Sequence, residues 1–166
     1  MRRRIVLAVL VAALSVVLVA TSVLAAPMQV VHIVAPTDLV GGTGAPALFT
    51  ATGPAVTSGV LCATGTVLTG PISSIGPMGQ GSPQGAFSIL SMDKLFICDD
   101  GSGTFTVELT VKLYITGPKA NYTFGSWKVV SGTGSYSGLK SSGGKLVGTP
   151  IIPGTSINDV YDGKLK

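Results

Sequence analysis

From Thr104 to Ile115 the chain reads T-F-T-V-E-L-T-V-K-L-Y-I, with apolar and polar side chains alternating over the whole stretch. Phe105, Val107, Leu109, Val111, Leu113 and Ile115 fall on one face, and Thr104, Thr106, Glu108, Thr110, Lys112 and Tyr114 on the other. A period of two belongs to a strand, because successive side chains leave a pleated backbone on opposite sides. One apolar and one wet face point to an antiparallel sheet rather than a parallel one buried on both sides.

Shorter segments of the same character are expected as strands at Gln29–Val34, Ala47–Thr52, Val56–Cys62, Ala86–Ser91, Leu95–Cys98, Phe124–Ser131, Lys145–Gly148 and Asn158–Leu165. Turn chemistry lies between them at Gly41-Gly42-Thr43-Gly44, Asp99–Gly103, Gly117-Pro118, Gly143-Gly144 and Pro153-Gly154. Residues 70–85, with Pro71, Pro77 and Pro83, read as a long loop. Gly or Pro interrupts nearly every window long enough for a helix. An all-β sandwich or barrel follows, as one domain.

The amino terminus has a different character. Arg2, Arg3 and Arg4 precede an apolar run that ends in Ala25-Ala26-Pro27. A cationic start, an apolar stretch and small residues before a cut predict a secretory signal peptide over 1–26, leaving 27–166 as the folded domain. The alternative is a membrane anchor through uncleaved residues 5–26, long enough to span a bilayer. Removing 1–26 takes away every Arg and leaves eight Lys against seven Asp and Glu, a net charge of +1. The basic pI of 9.2 thus belongs mostly to the leader. The remaining lysines are scattered, which excludes a nucleic-acid-binding stripe.

An exported chain meets an oxidising compartment. Cys62 and Cys98 are its only cysteines, there is no C-x-x-C, and two Cys with one His make a poor metal site. A disulfide is expected, worth about 4 kcal/mol for a loop of this length.

The segment around the single tryptophan runs Trp127-Lys128-Val129-Val130-Ser131-Gly132-Thr133-Gly134-Ser135-Tyr136-Ser137-Gly138. Trp127, Gly132, Gly134, Tyr136 and Gly138 make it resemble the late strands of the allene oxide cyclase/dirigent-like β-barrels. Cys98-Asp99-Asp100-Gly101-Ser102-Gly103-Thr104-Phe105 looks like a hairpin of secreted bacterial members with the same later motif, and Tyr161-Asp162-Gly163-Lys164 resembles their closing strand. The resemblance covers roughly residues 86–166. It implies a single antiparallel barrel of about eight strands, a cavity able to take a small apolar ligand, and a tendency to homo-oligomerise. Physically, glycines at 132, 134 and 138 permit close approach or positive φ, and Tyr136 is placed to plug a barrel end.

Sites for chemistry are few. Gly132-x-Gly134-x-x-x-Gly138 is not a dinucleotide fingerprint, and no P-loop is present; no cofactor and no metal are expected. Asp99-Asp100-Gly101 fits a hairpin turn better than a calcium loop. His32 is the sole imidazole, without a nucleophile elbow to serve. Asn121-Tyr122-Thr123 is a glycosylation sequon, relevant only in a eukaryotic secretory route. Catalytic candidates reduce to Glu108, with Tyr114 or Tyr136, should the polar side of the long strand face a lumen. An Asp could take the place of Glu108 if Asp93, Asp99, Asp100, Asp159 or Asp162 converges with another acidic group in the fold.

Three functions remain open: a small apolar ligand held in the barrel, as in a dirigent-like scaffold; an extracellular structural or interaction protein with a solid barrel; and a cofactor-free isomerase or cyclase. An empty or a filled interior separates the first two.

Overall fold

Alternation of the kind seen at 104–115 recurs in most of the strands, and the inward positions close on themselves. The computed structural model describes residues 26–40, 43–74, 76, 79 and 83–166. The expected signal segment, Ala26 apart, lies outside the described residues, as does the Gly41-Gly42 half of the first turn.

The strands are β1 (Gln29–Asp38), β2 (Pro46–Thr52), β3 (Thr64–Thr69), the two-residue β4 (Ser73–Ser74), β5 (Phe87–Cys98), β6 (Thr104–Tyr114), β7 (Thr123–Gly132), β8 (Ser141–Ile152) and β9 (Ser156–Leu165). All pairings are antiparallel. The sheet runs β3-β2-β1-β9-β8-β7-β6-β5, and β3 pairs again with β5, so eight strands form a closed barrel without a free edge. β4 continues the path of β3 along β5, with Ser73 opposite Ser91.

Several sequence expectations shift. Val56–Cys62 is not a strand: Gly53 takes a positive φ of 102° and Pro54 starts the single-turn helix α1 (Pro54–Thr57), so the strand is delayed to Thr64. Ala86–Ser91 and Leu95–Cys98 are one continuous strand, since Met92-Asp93-Lys94 stays in the ladder. Gly143-Gly144 is not a turn but part of β8, at a bulge between Ser141 and Gly144. The inward face of β6 holds at Phe105, Val107, Leu109 and Val111, whereas Ile115 lies beyond the strand and is exposed.

One end of the barrel is closed. Ala55 of α1, Leu61 and the Cys62–Cys98 disulfide, with a Cα–Cα distance of 6.0 Å, sit over it. From the other side Tyr136, in a single 3₁₀ turn (Gly134–Tyr136), lies edge-on to Phe105 at 5.7 Å and shares a 2.7 Å hydrogen bond with the Ser102 hydroxyl. Gly134 has a φ of 58°, and a side chain at Gly132 would strike the Tyr136 backbone. Gly138, by contrast, has open space and no positive φ, so neither the close approach nor the left-handed backbone expected there occurs.

Below this lid the barrel is filled by rings. Phe96 stacks on Phe105 at 4.8 Å and meets Phe49 and Tyr161 edge-on at 5.1 and 5.8 Å. Trp127 stands against Tyr161, and its indole covers the register partners Gly144 and Gly163, which leave it the room. Each such buried ring contributes roughly 1.5–3 kcal/mol.

Candidate functional site

The inward row of β5 reads Leu90, Met92, Lys94, Phe96, Cys98, and that of β9 reads Ile157, Asp159, Tyr161, Gly163, Leu165. Each thus places one charged residue of opposite sign inside the barrel. Lys94 is fully buried and Asp159 nearly so. Lys94 Nζ donates to Asp159 Oδ2 at 2.9 Å and to the Thr37 hydroxyl, which in turn donates to Asp159 Oδ2. Thr123 donates to Asp159 Oδ1 at 3.1 Å. Gly148 lies between Thr123 and Asp159 in register, and a Cβ there would come within 2.5 Å of Asp159 Oδ1.

A buried ion is costly unless paired and hydrogen-bonded. Burial works against the Lys94 ammonium, but the Tyr161 oxygen and the Asp159 carboxylate outweigh it and hold its pKa above the ordinary 10.5. Burial, reinforced by Asp159 and opposed by Lys94, also raises Tyr161 above its ordinary 10.0. The Tyr161 hydroxyl has no hydrogen-bond partner of ordinary geometry and feels the Lys94 ammonium at longer reach.

Above this cluster the interior is not filled. At the end where β1, β6 and β8 finish and β5, β7 and β9 begin, a cavity of about 200 Å³ is lined by aliphatic side chains, with Thr37, Thr123 and Asp159 as its polar floor. Leu90 and Met92 come from β5, Leu109, Val111 and Leu113 from β6, and Leu146 and Ile157 from β8 and β9. Leu39 and the half-exposed Ile72 form the rim. The barrel is therefore solid in one half and hollow in the other.

Glu108, Tyr114 and Tyr136 are not gathered into a site. Glu108 is on the outer face in a 3.1 Å ion pair with Lys128, both partly exposed, a contact worth at most about 1 kcal/mol. Tyr114 packs outside between Phe87 and Phe124. Tyr136 belongs to the closed end. None of the three lines the cavity. His32 is cross-strand partner to Asp162 and bonds it at 2.7 Å on the surface. Asp100 caps its own turn, held below the usual carboxylate range by the Ser102 hydroxyl and then by the Ser102 N–H. Among the described residues no three of His, Cys, Asp and Glu come together to hold a metal, and no helix is long and apolar enough to cross a membrane.

No protein-family model, no curated protein and no solved structure matches the chain.

Proposed function

We propose that this chain is an exported barrel protein that binds a small aliphatic molecule in the open end of its barrel, without performing covalent chemistry on it. The observation that carries the proposal is the cavity of about 200 Å³, walled by Leu, Ile, Val and Met, with the half-exposed Ile72 at its edge. Small barrels commonly fill their interior with side chains, and this one has the rings to do so yet stops at the Lys94–Asp159 layer. Concave, mostly apolar sites with a few fixed polar groups are the usual form of small-molecule pockets.

Export is supported by the disulfide and by the leader-like composition of 1–26. The motif around Trp127 favours kinship with the allene oxide cyclase/dirigent-like barrels.

Nuclear magnetic resonance titration with cyclohexane tests the binding role. Methyl signals of Leu90, Leu113 and Ile157 are expected to shift saturably. Absence of saturable shifts, or shifts confined to the outer face, overturns it. A mature amino terminus near Pro27, read by mass spectrometry on material from the medium, tests export; an intact Met1 in the membrane fraction would sink it.

A further inference from the structure

Among the described residues, Asp159 is the one charged side chain that lines the cavity, and its hydrogen-bond capacity is incompletely used. An ionised carboxylate offers about four acceptor positions. Thr37 and Lys94 occupy two on Oδ2, and Thr123 occupies one on Oδ1. One acceptor position on Oδ1 remains, at the polar floor of an otherwise aliphatic chamber.

Building on the binding role proposed for that cavity, we infer that its ligand is a neutral aliphatic alcohol, seated with its hydroxyl donating to Asp159 Oδ1 and its chain running outward between Leu90, Leu113 and Ile157. Three considerations select this class. The free position accepts, so the ligand must donate. The Lys94 ammonium already balances the Asp159 charge, so an alkylammonium would bring an uncompensated charge into an apolar space. An alkyl carboxylate would meet acceptors at the floor, because Lys94 is buried behind Asp159 and does not line the cavity.

Size sets the chain length. At about 30 Å³ per water-sized group, 200 Å³ accommodates about seven non-hydrogen atoms. A six-carbon alcohol has that size. Among the described residues the wall carries no aromatic ring, which suits a flexible saturated chain.

The test compares 1-hexanol with its isomer pentyl methyl ether, which has the same atoms and no donor, alongside hexylammonium and hexanoate. Dissociation constants come from methyl shifts of the wild-type protein. Hexanol is expected to bind at least tenfold more tightly than the ether, as a hydrogen bond to a charged acceptor warrants, with both ions weaker than hexanol. Equal binding of alcohol and ether overturns the inference while leaving the apolar cavity role intact, and so does an ion binding best. If neither neutral ligand binds, the cavity role itself falls. The double variant K94M/D159L, checked by circular dichroism for its fold, provides a second measure: its preference for hexanol over the ether should vanish, and a retained preference would place the hydroxyl elsewhere.

Discussion

Lys94 Nζ lies 2.9 Å from Asp159 Oδ2 inside the barrel, joining β5 to β9 across the interior rather than along the sheet. Both side chains are buried, and each is the other's counter-charge. Breaking such a pair from one side leaves a buried ion alone, which costs about 3–5 kcal/mol, whereas replacing both with apolar groups of similar volume is often neutral. Lys94→Met and Asp159→Leu should therefore each lower the unfolding free energy by that amount, and the double variant should recover most of it. Urea denaturation of all four proteins measures this. Additive losses in the double variant would show that the two residues do not act as a pair.

The same two strands carry an alkaline dependence. The folded pKa values of Lys94 and Tyr161 are both raised above their ordinary values of 10.5 and 10.0. For a raised group the stabilisation is complete below the unfolded pKa and is lost as pH climbs from there through the folded pKa. Stability should thus be insensitive to these residues below about pH 9 and fall above about pH 10, by up to roughly 1.4 kcal/mol per pH unit for each group. Tyr161→Phe removes one of the two contributions, so its stability should fall less steeply between pH 10 and 11 than that of the wild type. Parallel curves would exclude a titrating Tyr161. At neutral pH the variant loses the Tyr161 oxygen's support of the Lys94 ammonium but also sheds a buried hydroxyl without an ordinary hydrogen-bond partner, so its stability should stay within about 1 kcal/mol of the wild type.

The barrel was legible in the sequence chiefly because β6 is so regular. Its inward residues Phe105 to Val111 bury as their spacing demands, and a strand of this pattern needs an antiparallel partner on each side. The candidate site was far less legible, because its members break the pattern that reveals strands. Lys94 interrupts an apolar row and reads as the gap between two strands. In phase, however, it belongs with Leu90, Met92, Phe96 and Cys98, as Asp159 does with Ile157, Tyr161 and Leu165. Two opposite charges in the inward phase of different strands were the available signal, but pairing them requires knowing that β5 and β9 face each other across a barrel. Gly144 misled for a related reason: a glycine under a tryptophan looks, in one dimension, like a turn.

Gly148 offers a sharp test of the floor geometry. A methyl group there would intrude on Asp159 Oδ1 and the Thr123 hydroxyl, both held in their hydrogen bond. Gly148→Ala should destabilise by about 1–3 kcal/mol, the range for overpacking. Gly138→Ala, with nothing near its Cβ, should change stability by less than about 0.5 kcal/mol. Thermal unfolding of the pair decides the matter; equal effects would mean that Gly148 is not a packing constraint.

The closed end depends on its covalent link. Cys62 and Cys98 bound a loop containing β3, β4 and β5, so its reduction restores considerable freedom to the unfolded chain. Loss of the bond should cost up to about 4 kcal/mol. Unfolding midpoints with and without dithiothreitol, compared with Cys62→Ala/Cys98→Ala, test this. The double variant should match the reduced wild type, and a reductant effect that persists in the variant would have another origin.

If the open half of the barrel is a ligand chamber rather than a packing defect, filling it should separate stability from binding. Leu90 lines the cavity from β5 opposite Val111. Leu90→Trp directs an indole into empty space, where added contacts replace a void whose presence costs free energy. Stability should hold or rise by about 1 kcal/mol, while affinity for 1-hexanol should drop at least tenfold because the chamber holds only about seven non-hydrogen atoms. Thermal denaturation and the methyl titration, run on the same sample, read both quantities. Undiminished hexanol binding by a folded Leu90→Trp protein would mean that the ligand site lies elsewhere on the molecule.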